Sequence, residues 1–96
     1  MVESVARVVT DQPDRYIKQL VSHLGHKAST DLADDGTGVI VLDVGRCTLT
    51  GESGTLVLVA SADDDAGLSR VRDVVGRHLE RFGAREGLQV QWTELG

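Results

Sequence analysis

The sequence predicts an α+β fold in which two helices cover one face of a mainly antiparallel sheet, forming a two-layer sandwich. Three observations support this prediction. The chain has 96 residues, the length of one domain, so we expect a single domain over residues 1–96. Two segments carry apolar residues at helical spacing, and six others have strand character. Apolar residues make up 41% of the chain and charged residues 26%, which is typical of globular proteins. The predicted element order is β-α-β-β-β-β-α-β.

The first strand and the first helix come from the N-terminal quarter of the chain. Residues 2–10 are rich in β-branched side chains and predict a strand. A helix over 12–24 follows, because Asp11 can cap its free N–H groups and Pro13 suits its first turn. Gly25 suits the position just after a helix. The apolar side chains of this helix fall on one stripe: Tyr16, Ile17, Leu20, Val21 and Leu24.

Four strands are predicted in the middle of the chain. They are a short polar edge strand and three apolar ones, at residues 28–33, 39–44, 47–50 and 55–62. A turn or bulge at Gly45-Arg46 and a loop at Gly51–Gly54 separate the last three. Short glycine-containing connections favour an antiparallel meander.

A second helix and a last strand complete the predicted fold. Asp63–Asp65 supply capping carboxylates for a helix over 64–82. Gly76 lies off its apolar stripe, and nothing in the sequence explains this glycine. Residues 88–95 alternate apolar and polar side chains and predict a half-buried strand. The stripe of the second helix consists of Leu68, Val71, Val74, Val75, Leu79 and Phe82.

Composition argues against several classes of function. The net charge is −5 and only three residues are aromatic, whereas nucleic-acid binding needs clustered cations and often stacking aromatics. The single cysteine forms no intramolecular disulfide and favours a reducing compartment. The first residues lack the pattern of a signal peptide, and no apolar run approaches the roughly 20 residues needed to span a bilayer. We therefore expect a cytoplasmic protein that binds neither nucleic acid nor membrane.

Two segments carry a resemblance to a known family. They read SHLGHK over residues 22–27 and HLERFG over residues 78–83, and the surrounding segments 10–20 and 45–49 also fit. The chain resembles the prokaryotic family of unknown function DUF2218. The resemblance implies a small bacterial protein with a fold similar to TATA-binding-protein-like domains. It also implies an association of some members with siderophore-interacting, flavin-dependent ferric reductases, as fused or neighbouring domains. It supplies no catalytic residues.

Three histidines and the cysteine are candidate ligands. His23 and His26 are three residues apart, which on a helix places both near one face. His78 falls on the apolar face of the second helix, where its ring must find a hydrogen-bond partner or a ligand. Cys47 lies in or beside a central strand and is either a small buried hydrophobic residue or a ligand. If the first helix, a strand and the second helix converged, these four side chains would suit zinc or iron. We otherwise expect no cofactor.

A basic surface is the other candidate site. Arg77, Arg81 and Arg85 recur every four residues, which predicts a stripe along the second helix. Such a stripe is either a solvated face or a docking surface for an acidic partner or an anionic small molecule.

Three functions follow from these residues and from the resemblance. The first is a non-catalytic binding or accessory module linked to iron-siderophore metabolism. The second is a metal- or haem-binding protein that uses the histidines and Cys47. The third, with the least support, is an enzyme with His78 as general base. Consecutive apolar residues at 39–42 and 56–59 also predict strands buried on both faces. We therefore expect a homodimer, or docking to another protein domain, through the sheet.

Overall fold

The computed structural model describes residues 1–26 and 28–95 and confirms the predicted element order. The sheet strands and the two helices occupy these residues, in chain order: β1 Val2–Val9, α1 Pro13–Leu24, β2 Ser29–Leu32, β3 Gly38–Leu42, β4 Gly45–Glu52, β5 Thr55–Ala62, α2 Asp65–Phe82 and β6 Trp92–Leu95. A short 3-10 turn, Ala84–Glu86, lies between α2 and β6.

The six strands form one antiparallel sheet in the order β2-β3-β4-β5-β1-β6. Strands β2 to β5 are consecutive neighbours, as a meander requires. Strand β1 lies between β5 and β6, so it pairs with Thr55–Ala62 on one side and with the last strand on the other. Helix α1 packs over β2, β3 and β4, while α2 packs over β4, β5 and β1. The two helices also contact each other on this face.

The core lies between the sheet and the helices. Strand β5 shows the alternation clearly, since Leu56, Leu58, Ala60 and Ala62 are buried and the residues between them are half-buried. Helix α1 lies close to the sheet over Gly38, where a Cβ would be 2.9 Å from Cγ2 of Ile17. The helix stripes supply the other half of the core: Tyr16, Ile17, Leu20, Leu24, Leu68, Val71, Val75 and Leu79.

The two helices begin in different ways. Asp64 caps α2 as predicted, because its Oδ1 accepts a hydrogen bond of 2.7 Å from the Gly67 N–H. The expected cap of α1 by Asp11 is wrong. The N-cap position is Gln12, which makes no side-chain capping bond. Instead, the Gln12 N–H donates to Oγ1 of the buried Thr10 at 3.1 Å, so the hydroxyl shapes the entry from β1.

Several strand boundaries differ from the prediction. Strand β4 extends to Glu52, which pairs with Thr55, so the turn before β5 is Ser53-Gly54 and not a loop over Gly51–Gly54. The hairpin between β3 and β4 turns at Asp43-Val44, because Gly45 already pairs with Leu42. Strand β4 therefore begins at Gly45 and is not preceded by a turn or bulge at Gly45-Arg46. The last strand is shorter than expected, because the chain first forms the 3-10 turn and reaches the sheet only at Trp92.

Gly76 has a clear role in this packing. It is buried although it lies off the main apolar stripe of α2. The segment before β6 crosses the helix here, and a Cβ on Gly76 would lie 3.5 Å from Nε1 of Trp92 and 3.7 Å from Cγ1 of Val90. The position is thus covered by the C-terminal segment rather than by the sheet.

Within residues 1–26 and 28–95, the structure contains no helix that is both long and apolar enough to cross a membrane.

Candidate functional site

The two helices bring His23 and His78 together. His23 lies in the last turn of α1 and His78 in the second half of α2, and their ring centroids are 5.1 Å apart. Phe82 packs its edge against His23 at 5.2 Å. The Nδ1 atom of His78 is 2.6 Å from the carbonyl oxygen of Val74, so Nδ1–H donates this bond. In the neutral ring, Nε2 keeps its lone pair and remains available to a ligand.

His26 reaches the same region by a different route. Helix α1 ends at Leu24, so His26 lies beyond its end and the argument from helical spacing does not apply to this pair. Its side chain is exposed and lines a cleft that His78 also lines. The cleft therefore collects histidines from the end of α1 and from α2.

This feature, here called the histidine cleft, lies between the end of α1, one side of α2 and the β3–β4 hairpin. Its volume is about 840 Å³, within the range of small-molecule sites. Besides His26 and His78, its lining combines an apolar group with three polar side chains. The apolar group includes Leu24, Leu42 and Val74, and the polar side chains are Ser29, Asp43 and Arg70.

Cys47 lies in the core. It faces the helices from the middle of β4, between Ile40 and Ala60 of the neighbouring strands, and it is fully buried. Burial raises the pKa of its thiol to about 12, so the thiol is neutral at physiological pH. Within the described part of the chain, no three histidine, cysteine or acidic side chains are grouped so that they could hold a metal ion. Cys47 therefore does not join the histidines in a metal site.

The basic residues of α2 do not form the continuous stripe that the sequence predicts. The helix ends at Phe82, so Arg85 belongs to the 3-10 turn. Arg77 pairs with Asp73, with 2.8 Å between Nε and Oδ1. Arg77 and Arg81 line a small hollow beside His78. The arginine that reaches the histidine cleft is Arg70, which lies two helical turns before His78.

A polar cluster that sequence reasoning missed joins the start of α1 to the 3-10 turn. Thr10 donates from Oγ1 to the Glu86 carboxylate at 3.1 Å, and Gln12 donates from Nε2 at 3.4 Å. The Tyr16 phenol is buried next to the same carboxylate. Its pKa is raised, mainly by burial and then by the hydrogen bond to Glu86 and the charge of this residue. No sequence signal reveals the cluster, because Glu86 is at least 70 residues away from each of its partners.

Comparison with known proteins gives a family and a fold. The model of a family described as an uncharacterised protein conserved in bacteria, DUF2218, matches residues 5–93. No curated protein matches the chain. The NMR structure of PA4090 from Pseudomonas aeruginosa is similar, with a TM-score of 0.80 and 28% identity over 97% of this chain and 96% of that one. A de novo designed protein with a ferredoxin fold, LFR1 1, has a TM-score of 0.58 and 14% identity over 99% of this chain and 84% of that one. Because the family match spans nearly the whole sequence, the chain belongs to the uncharacterised bacterial family DUF2218.

Proposed function

We propose that this domain is a non-catalytic binding module that holds a small anionic molecule with an apolar body in the histidine cleft. One observation carries the proposal. The fold brings Arg70, His26 and His78 to one cleft whose lining also includes Leu24 and Val74. A cleft of this size, with apolar walls and a few convergent polar groups, is the usual form of a small-molecule site.

The polar groups of the cleft favour an anionic end on the ligand. The Arg70 guanidinium is always charged and presents several N–H donors to carboxylate, phosphate or catecholate oxygens. His78 offers Nε2, since its Nδ1 is bound to Val74, and Ser29 offers a hydroxyl. Asp43, also in the lining, disfavours ligands that carry negative charge throughout. The preferred ligand therefore has one anionic end and an apolar remainder.

The link to iron-siderophore metabolism belongs to this proposal. It rests on the resemblance of the sequence to domains associated with siderophore-interacting ferric reductases. A catecholate arm of a siderophore has the required chemistry, because it joins an aromatic body to two acidic oxygens. The proposal also places the protein in the cytoplasm, where the Cys47 thiol stays reduced.

The test is a titration of the ¹⁵N-labelled protein with 2,3-dihydroxybenzoate, free and as its gallium complex, the diamagnetic counterpart of the ferric one. We expect NMR shifts at His26, Ser29 and Arg70 and none at Gly87, which lines a hollow that shares no residue with the cleft. Arg70→Ala should weaken binding about tenfold, because a charge-assisted hydrogen bond is lost. The matched control Arg81→Ala, on the same helix but outside the cleft, should leave the affinity unchanged.

Two outcomes would contradict the proposal. One is the absence of saturable shifts for either probe. The other is equal weakening by both arginine variants, which would indicate a non-specific charge effect. Elemental analysis of the purified protein beside His78→Ala tests the alternative of a metal or haem protein. Stoichiometric metal that is lost in this variant would support that alternative, with His23 and His78 as ligands.

A further inference from the structure

The sheet has a second face that neither helix covers. Both helices pack on the side of Ala6, Leu58 and Cys47, so the odd-numbered residues of β1 and β5 point the other way. We call the opposite side the outer face. Its centre is formed by five valines, and two threonines of β4 lie between the valines of β3 and those of β5: Val39, Val41, Thr48, Thr50, Val57, Val59 and Val5. The exposure of Val41 is 42%, which is high for a valine in a central strand.

Four charged residues surround this centre in an alternating pattern. At one end, Glu3 of β1 and Arg46 of β4 flank Ser61 of β5, because each is paired with Ser61 in the register. At the other end the signs are exchanged, with Arg7 on β1 and Glu52 on β4. These two side chains meet across β5 at 3.2 Å and remain more than half exposed. Neighbouring charges thus have opposite signs, although Glu3 and Arg7 are four positions apart on β1 whereas Arg46 and Glu52 are six positions apart on β4.

We propose that the outer face binds a second copy of this chain, face to face. A two-fold axis that runs along β5 exchanges β1 with β4, and Arg46 and Glu3 lie at the same level of the register. Such an axis therefore places Arg46 on the partner's Glu3. It also places Val57 and Val59 on their own counterparts and Val5 on the partner's Thr48. Unlike charges thus meet twice beside an apolar centre, which is the isologous contact that a two-fold dimer requires.

The area of the face is sufficient for such a dimer. Three strands of eight residues and three of four or five, about 4.8 Å apart with about 3.3 Å per residue, give a face of roughly 590 Å². Two such faces bury about 1,200 Å², the lower end of the range for stable, specific interfaces. We therefore expect a dissociation constant in the micromolar range rather than an obligate dimer.

Charge exchange measured by sedimentation velocity tests the proposal. The wild-type chain should be dimeric at about 100 μM, well above the expected dissociation constant. Arg46→Glu should dissociate the dimer, because it places two acids opposite each other. E3R/R46E should restore the dimer, because the exchanged charges again face each other across the axis along β5. R46E/E52R should stay monomeric, because Arg46 and Glu52 do not face each other in this arrangement. The control Arg81→Glu makes the same charge change on the helix side and should leave the dimer intact.

The proposal is overturned if the wild-type chain stays monomeric at this concentration, if Arg46→Glu remains dimeric, if E3R/R46E stays monomeric, or if R46E/E52R dimerises. Circular dichroism of each variant shows whether it is folded. Unfolding is not expected, because Arg46 is exposed. These results do not depend on the histidine cleft, since Glu3, Arg46 and Glu52 do not line it.

Discussion

Cys47 shows how the position of one residue decides its chemistry. A lone cysteine is compatible with a ligand or with a small apolar side chain, and the sequence leaves both open. The structure places its thiol in the core, next to Ile40 and Ala60, with a pKa of about 12. A neutral, inaccessible thiol does not act as a nucleophile at physiological pH.

Labelling of Cys47 should therefore require opening of the domain. We expect an aromatic disulfide reagent to react with the native protein at neutral pH at least about a thousandfold more slowly than with the denatured protein. Absorbance of the released thiol measures both rates, and Cys47→Ala is the blank. In the folded protein, the pKa of the Cys47 thiol lies above its ordinary value of 9.0. The contribution of the neutral thiol to the free energy of unfolding is therefore complete below pH 9 and is lost as the pH rises toward 12. Fast labelling of the native protein would contradict the buried position.

Tyr16 gives a second prediction that depends on pH. It is the only tyrosine, so the near-ultraviolet absorbance of tyrosinate reports this residue alone. We expect its titration midpoint above 10.0, because burial and then Glu86 both disfavour the phenolate. The contribution of the Tyr16 phenol to the free energy of unfolding is complete below pH 10 and decreases as the pH rises through the pKa of the phenol in the folded protein.

The variants Glu86→Gln and Tyr16→Phe check this assignment. Glu86→Gln should lower the midpoint only partly, since burial is the larger cause. Tyr16→Phe should remove the absorbance step altogether. A wild-type midpoint at or below the ordinary value would show that the phenol is accessible to water.

At the scale of elements, the buried Gly76 and the half-buried Gly45 should respond in opposite ways to alanine. Gly76→Ala adds a Cβ at ordinary contact distance from Val90 and Trp92, in a helix interior where alanine is favoured over glycine. We expect a gain of about 0.5–1 kcal/mol in the free energy of unfolding. Gly45→Ala places its Cβ against the carbonyl oxygen of Ser61 and within 3.0 Å of Val71, so we expect a loss of about 1–3 kcal/mol. Urea denaturation measures both, and a destabilised Gly76→Ala would contradict the described packing.

The elements themselves were largely predictable from local pattern. Strand β5 and helix α2 were predicted within one residue, because β-branched alternation and the Asp64 cap are local signals. The β3–β4 turn was not, since Gly45 looks like a turn residue in sequence. The reason for this glycine is instead the close approach of Ser61 and Val71, which are distant in the chain. The 3-10 turn was also missed, because its partners lie on other elements.

At the scale of the whole molecule, the fold class could be predicted and the site could not. Periodicity predicts which face of each helix is buried, but it does not say which helix end meets which strand. The pairing of His23 with His78 and the place of Arg70 in the histidine cleft depend on that arrangement. The apolar runs did indicate that both faces of the sheet carry apolar residues, because side chains at consecutive positions of a strand point to opposite faces. The outer face shares Val41 with the lining of the histidine cleft, but Glu3, Arg46 and Glu52 do not line the cleft, so ligand binding and self-association can be tested with different variants.

The place of β1 between β5 and β6 has a consequence for how the chain folds. Its partners are residues 55–62 and 92–95, so Val2 pairs with Ala62, which is 60 positions further along the sequence. The hairpins of β2 to β5, by contrast, close over a few residues each. Loop-closure entropy delays contacts that are distant in sequence, so the meander can form before β1 is inserted. During synthesis, β1 leaves the ribosome before β5. Val5, Ala6 and Val8 therefore remain unpaired until β5 is available to pair with them.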